Sequence, residues 1–235
     1  MIESKDNLRF KNWMKLKQKK YRDEQGLYLV FGDKFIQMAK ETNVLDEVVT
    51  SNPNKEGILI SEKLMKELNF TETPFDVMGI CKKIQPEITS NYILALDDIQ
   101  NPDNLGALLR SALAFGFHEV ILSHKTADLY NDKTLRAAQG AHFKLNVIRT
   151  SLYEKLIDLK NKGYRLLGAD AHESKVNNKS VEKIVLILGN EGQGLSHLTK
   201  TIVDDFVHIP MQGTESLNVS IAGSILMYEW SKKWH

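Results

Sequence analysis

An α/β fold is predicted, with a mostly parallel sheet covered by helices in the larger part of the chain and a smaller α/β domain before it. Three observations predict it. From residue 92 onward, short apolar runs alternate with helix-like stretches, the pattern of parallel strands joined by crossover helices. One run, ending Ile184-Val185-Leu186-Ile187-Leu188, has no polar break and is rich in β-branched residues, as suits a strand buried on both faces. Between the two parts, residues 82–91 are polar, contain Pro86 and follow neither hydrophobic period. The expected division is a domain at 1–82, a linker at 83–91 and a second domain at 92–235.

In chain order, Phe10, Trp13, Met14 and Tyr21 fall near one face of a helix whose remainder is basic. Residues 27–31 read as a strand ending at Gly32, and Asp33 as the cap of a helix through Thr42. Strands are expected at 46–50, 57–60 and 75–80, with Ser61 capping a helix between the last two. In the larger domain they are expected at 92–96, 119–123, 145–148, 165–169, 183–188 and 206–209. The closing helix, 218–230, is apolar or small nearly all round, which predicts burial against its own domain or a second subunit.

Of the 235 residues 42% are hydrophobic and 26% charged, the balance of a soluble globular protein. The formal net charge of +1 is silent about partners, but Arg9 to Arg22 holds seven basic residues and no acid. A single cysteine, Cys81, excludes an internal disulfide and a cysteine-built zinc site and suits a reducing compartment. No signal-like leader and no membrane-length apolar run is visible, so a cytoplasmic protein without a membrane partner is expected. Seven histidines lack metal-ligand spacing, so no metal is expected, and neither a Gly-x-Ser-x-Gly elbow nor a Walker loop occurs.

Chemistry concentrates in three clusters. Gly189-Asn190-Glu191-Gly192-Gln193-Gly194-Leu195-Ser196 leaves the aliphatic strand at a carboxyl edge, where open α/β sheets bind ligands, and its glycines permit positive φ and close approach of the main chain. Ile209-Pro210-Met211 and Ser216-Leu217-Asn218-Val219-Ser220 form a second turn-rich segment. Upstream, Asn104-x-Gly106-x-x-x-Arg110 enters a helix after the Asn101-Pro102 turn. Asn104 there is either a functional amide or the helix cap, and Arg110 either a site cation or a solvated surface residue.

With its three clusters in order, the chain resembles the SpoU branch of the SPOUT methyltransferases, the TrmH-like RNA ribose 2′-O-methyltransferases, over about residues 92–230. Lys19-Lys20-Tyr21-Arg22 and Tyr28-Leu29-Val30-Phe31-Gly32 resemble the L30e-like substrate-binding domain that precedes many of them, with Phe31 where members often carry Glu. The resemblance implies a carboxyl-terminal trefoil knot that binds S-adenosylmethionine, releases S-adenosylhomocysteine, and works as a homodimer on RNA, with ribosomal RNA preferred. A transfer-RNA enzyme, and an inactive RNA-binding or ribosome-assembly protein on the same scaffold, are the competing readings.

By the same resemblance, Leu188, Gly189, Gly192, Ile209, Met211, Leu217 and Asn218 hold the cofactor. Arg110, Asn104, Glu191, Ser216 and Asn218 make up the catalytic set. Arg110 is the family's general base, although a guanidinium that stays protonated argues equally for a cation that fixes phosphate and steadies an alkoxide. Glu191 orients Arg110 or the substrate, or bonds nearby amides; Ser216 and Asn218 act directly or cap a helix. Arg9, Lys17, Lys19, Lys20, Arg22 and Arg110 are the expected RNA contacts, aided by stacking on Phe10, Trp13 and Tyr21.

Overall fold

The computed structural model describes residues 1–84, 90–170, 182–214 and 216–232, so most of the expected linker lies outside the described residues. Two compact units result: Met1–Ile84 with Tyr130–Leu135, and Gln85–Leu129 with Arg136–His235.

In the first unit, helix α1 (Leu8–Lys15) starts where the Asn7 side chain accepts from the amides of Arg9 and Phe10. Helix α2 (Lys19–Gln25) ends on Gly26 in the left-handed conformation. Strand β1 (Leu27–Phe31) leads through Gly32 into α3 (Asp33–Glu41). Then come β2 (Leu45–Thr50), β3 (Ile58–Leu59), α4 (Glu62–Leu68), which the Ser61 hydroxyl caps through the Leu64 amide, and β4 (Val77–Lys82). The sheet order is β1-β4-β2-β3, with β4 antiparallel to both neighbours. Gly32, not Asp33, occupies the cap position of α3.

The basic stretch is therefore two short helices with a turn between them, and the turn explains a correction. Arg22 is buried, and its Nη1 donates to the carbonyls of Leu16 and Lys17 at 2.8 Å each. Carbonyls at a helix end need outside donors, and Arg22 supplies them, so it leaves the set of expected RNA contacts. Lys17 leaves it too: its ammonium donates to the carbonyls of Glu67 (2.8 Å) and Asn69 (3.0 Å) and lies 4.6 Å from the Phe70 ring centre. Burial pushes the Lys17 pKa down. Phe10 and Trp13 are core residues packed with Leu64, Met65 and Met78, and are not offered for stacking. Arg9 is exposed but ion-paired to Glu47 at 2.5 Å.

The second unit carries β5 (Tyr92–Asp97), α5 (Pro102–Ala114), β6 (Glu119–Leu122), α6 (Asp132–Ala138, whose first turn groups with the first unit), a 3-10 turn (Ala141–Phe143) and β7 (Asn146–Arg149). It continues through α7 (Leu152–Asn161), β8 (Arg165–Ala169), β9 (Ile184–Gly189), α8 (His197–Ile202), β10 (Asp205–Val207) and α9 (Val219–Ser231). All six strands are parallel, in the order β10-β8-β9-β5-β6-β7. Ile93, Ala95, Ile121, Val185 and Ile187 pack against Leu156 and Leu159 of α7, which is why these strands read as unbroken apolar runs. From β5 the chain steps outward to β6 and β7 on one side and returns to β8 and β9 on the other. The β5–β9 pair is thus the topological switch point, and the crevice beyond its carboxyl ends is the ligand position of such sheets.

Candidate active site

At that crevice β5 and β9 end in register, Asp97 opposite Gly189. The loop 190–194 folds back on itself through two bonds of 2.9 Å, Asn190 N–H to the Gly194 carbonyl and Gly194 N–H to the Asn190 carbonyl. The Asn190 side chain fills the loop. Its Oδ1 accepts from the amides of Gly192 (2.9 Å) and Gln193 (3.1 Å), and its Nδ2 donates to the Asp98 carbonyl at 2.9 Å. Buried Asp97 accepts from the Ser196 amide at 2.9 Å. The glycines differ in purpose. Gly194 takes positive φ (+68°), whereas a Cβ on Gly189 would lie 2.2 Å from the Gly194 carbonyl carbon and 2.3 Å from the Leu195 nitrogen. Gly192 is neither in positive φ nor crowded, its nearest neighbour being Asn190 Oδ1 at 3.7 Å.

Against this loop lies a cleft of about 800 Å³ of space open to solvent on one side. Its wall includes Leu188, Gly189, Glu191, Ile209, Met211, Ser216, Leu217 and Asn218 from the sequence-derived set. Gly192 is not part of the wall; its described contact is its amide bond to Asn190 Oδ1. Strand β10 stops at Val207, two residues before its expected end, which leaves His208 and Ile209 free to line the cleft. Asp170, His208, Ala222 and Leu226 also line it and were missed. Asp170 follows β8 at the sheet's carboxyl edge, and position beyond a strand end is the signal that finds it.

Asn104 does not cap α5. Asn101 does, its Oδ1 accepting from the amides of Asp103 (2.8 Å) and Asn104 (3.4 Å). The buried Asn104 side chain is thereby released for a chain of hydrogen bonds across the three clusters. Its Nδ2 donates to Glu191 Oε1 at 3.0 Å, and its Oδ1 accepts from Asn218 Nδ2 at 3.0 Å. Asn218 in turn caps α9, its Oδ1 accepting from the Ser220 amide at 2.9 Å. Ser216 is exposed and caps nothing described.

Glu191 also accepts from the amides of Gln100 (3.4 Å) and Asn101 (3.3 Å). Burial alone would raise its pKa, but the bonds from Asn104 and these amides outweigh burial and hold it below the ordinary carboxylate value. A depressed folded pKa stabilises the native state fully above the unfolded value, and that stability is lost as pH falls through the folded pKa. Glu191→Gln is therefore expected to lower the melting temperature near neutrality. The gap to wild type should close as pH drops below about 5. Thermal scans across pH 3–8 that showed a constant gap would remove this role.

Arg110 lies six residues beyond Asn104, which puts it about 120° around the helix, on a different face from Asn104. It is exposed, and no described residue bonds to it. Glu191 thus orients Asn104 rather than Arg110. The floor beside β5 is rigid: Asp98 holds positive φ (+63°), pinned by Ser123 Oγ, which donates to Asp98 Oδ1 at 2.6 Å. Arg149 donates to four carbonyls of the loop after β6, those of Ser123, His124, Thr126 and Ala127. Among the described residues no group of three metal-ligating side chains converges, and no helix is long and apolar enough to cross a membrane.

A sequence profile described as the SpoU rRNA Methylase family matches residues 91–228, more than half of the chain and every residue of the cleft. The chain belongs to the SpoU rRNA methylase family. A second profile, the MRM3-like substrate binding domain, matches residues 7–79. Among curated SpoU relatives, the 23S rRNA (guanosine(2553)-2′-O)-methyltransferase RlmP of Bacillus subtilis is 34% identical, with 97% of each chain covered. The SpoU methyltransferase AviRb from Streptomyces viridochromogenes, solved in complex with AdoMet, superposes with a TM-score of 0.86 at 25% identity, over 97% of this chain and 98% of that one. An AdoMet-bound rRNA methyltransferase from Sinorhizobium meliloti gives 0.85 at 25% identity, over 99% and 97%.

Proposed function

We propose that this SpoU protein methylates a ribose 2′-hydroxyl of ribosomal RNA with S-adenosylmethionine as donor. The observation that carries the reading is the meeting of two of the sequence clusters at one cleft, with the third tied to both of them by the Asn218–Asn104–Glu191 chain. The residues present fit the donor. The cleft is apolar along Leu188, Ile209, Met211 and Leu217. At Gly189 the main chain approaches so closely that no side chain fits. When bound, the donor supplies a methyl on a sulfonium and leaves as S-adenosylhomocysteine.

Gly189, Ile209, Met211 and Leu217 hold the donor largely through main chain and apolar surface. Asn104, Glu191 and Asn218 lock the donor loops to α5. Arg110 is the cation that fixes substrate phosphate and steadies charge on the ribose oxygen as its proton is lost. An exposed guanidinium without a neighbouring base is suited to that and not to taking a proton. Beyond β10 the chain returns past the 190–194 loop to α9, which packs on α5 so closely that a Cβ at Gly223 would meet Leu108 and Leu188 at 2.5 Å. This return is the threading of the knot.

The exposed Ile221 and Tyr228 of α9, seven residues apart on one face, form the homodimer contact. Light scattering that gave the mass of a single chain would remove this part. A ribosomal RNA substrate supports a cytoplasmic enzyme. In the first unit, Arg9, Lys19 and Lys20 are the remaining phosphate contacts, exposed but paired with Glu47, Asp23 and Glu24 respectively, with Lys20 also 5.7 Å from the Tyr21 ring centre. Replacing Lys19 and Lys20 with Ala should lower the slope of log affinity against log salt by about one to two. An unchanged slope would clear that helix of RNA binding.

The deciding experiment maps 2′-O-methylation at nucleotide resolution in RNA from cells with and without the protein. One rRNA ribose that loses its methyl on deletion, and regains it in vitro with purified protein and donor, is the expected result. A change confined to tRNA would move the substrate, and no change at all would leave a scaffold protein.

A further inference from the structure

Hydrogen-bond accounting along the cleft wall leaves one atom over. Asn190, Glu191 and Asn218 are each engaged with the loops around them. His208 is not: its Nδ1 is enclosed and has no hydrogen-bond partner among the described residues. An enclosed polar atom without a partner is destabilising and calls for an explanation. The position supplies one. β10 and β8 run parallel with Val207 opposite Ala169, and the Asp170 amide donates to the Val207 carbonyl at 3.0 Å. His208 and Asp170 therefore leave the sheet together and both line the cleft.

Resting on the donor reading above, we propose that His208 is a donor-recognition residue whose ring turns toward the cleft as the donor binds, so that its otherwise enclosed Nδ1 accepts a hydrogen bond from an O–H or N–H of the adenosyl group. A ribose hydroxyl and the exocyclic adenine amine both carry this chemistry. The bond accounts for a ring nitrogen that the apo protein leaves unpaired. It also gives the cleft a directional side-chain contact beside Asp170.

Calorimetry with S-adenosylhomocysteine and thermal melts of the unliganded protein test it together. His208→Phe keeps a planar ring and removes the nitrogen. It should bind the product about tenfold more weakly than wild type, while the unliganded variant melts no lower, since no bond is lost in the free state. His208→Asn, which restores an acceptor, should recover part of the affinity. A residue with a merely structural role would lower melting temperature and affinity together, and that outcome overturns the assignment, as does unchanged affinity in His208→Phe. Analogues name the donor group. If the bond comes from a ribose hydroxyl, the 2′-deoxy or 3′-deoxy product binds wild type and His208→Phe equally; if from adenine, the N6-dimethyl product does. Equal discrimination by both proteins against all three analogues also overturns it. Failure of wild type to bind the product at all would instead reject the donor reading itself.

Discussion

Arg110→Ala is expected to slow single-turnover methylation by a hundredfold or more at saturating donor and RNA, with donor affinity unchanged within about twofold. Removing one preorganised group that stabilises developing charge typically costs about 10²–10³ in rate. The separation of rate from affinity follows from position. Arg110 is exposed on a different face of α5 from Asn104, and it is not among the residues that line the cleft. Its loss leaves donor wall, loop and relay untouched. Quench-flow with labelled donor measures the first quantity and calorimetry the second. Arg110→Lys distinguishes cation from fork: a point charge should restore part of the rate if phosphate positioning dominates, because lysine lacks the planar bidentate geometry but keeps the charge. Wild-type turnover in the alanine variant would take Arg110 out of the chemistry.

Gly189→Ala should abolish measurable donor binding and destabilise the fold. The added methyl would sit 2.2 Å from the Gly194 carbonyl carbon and 2.3 Å from the Leu195 nitrogen, and both are backbone atoms that cannot swing aside. Overpacking in a confined site costs about 1–3 kcal/mol and sometimes more. Here relief requires opening the paired Asn190–Gly194 bonds that give the loop its shape. Gly192→Ala is the control, since a Cβ there meets nothing nearer than 3.7 Å. It should melt within a degree or two of wild type and bind the donor normally. Equal losses in the two variants would mean that glycine content, and not this one contact, governs the loop.

The larger unit was legible in sequence because its strands are buried on both faces. Residues 165–169 are the expected strand at both ends, and the aliphatic run at 183–188 differs by a single position from Ile184–Gly189. The basic helix was read less well. Hydrophobic spacing placed Phe10, Trp13 and Tyr21 on one face, but spacing does not reveal that the chain turns after Lys15. Nor does it reveal that a charged residue such as Arg22 spends its donors on carbonyls inside the fold. The cap of α5 was ambiguous for a similar reason. Asn101 and Asn104 both suit a helix start, and only the three-dimensional neighbour Glu191 shows which amide is free. His208 and Asp170 carried no motif, and their place in the cleft follows from where β10 and β8 end.

The bond between Asn104 and Asn218 has an electrostatic consequence. It joins the amino ends of α5 and α9, two thirteen-residue helices whose peptide dipoles each present about half a positive charge at that end. Two such ends repel when brought together. The carboxylate bonded to this junction is Glu191, and the hydrogen bonds that depress its pKa keep it anionic. A single negative side chain thus serves as shared counter-charge for both helices. Neutralising it would drive the two helix ends apart, separating the surface that grips the donor from the helix that carries Arg110.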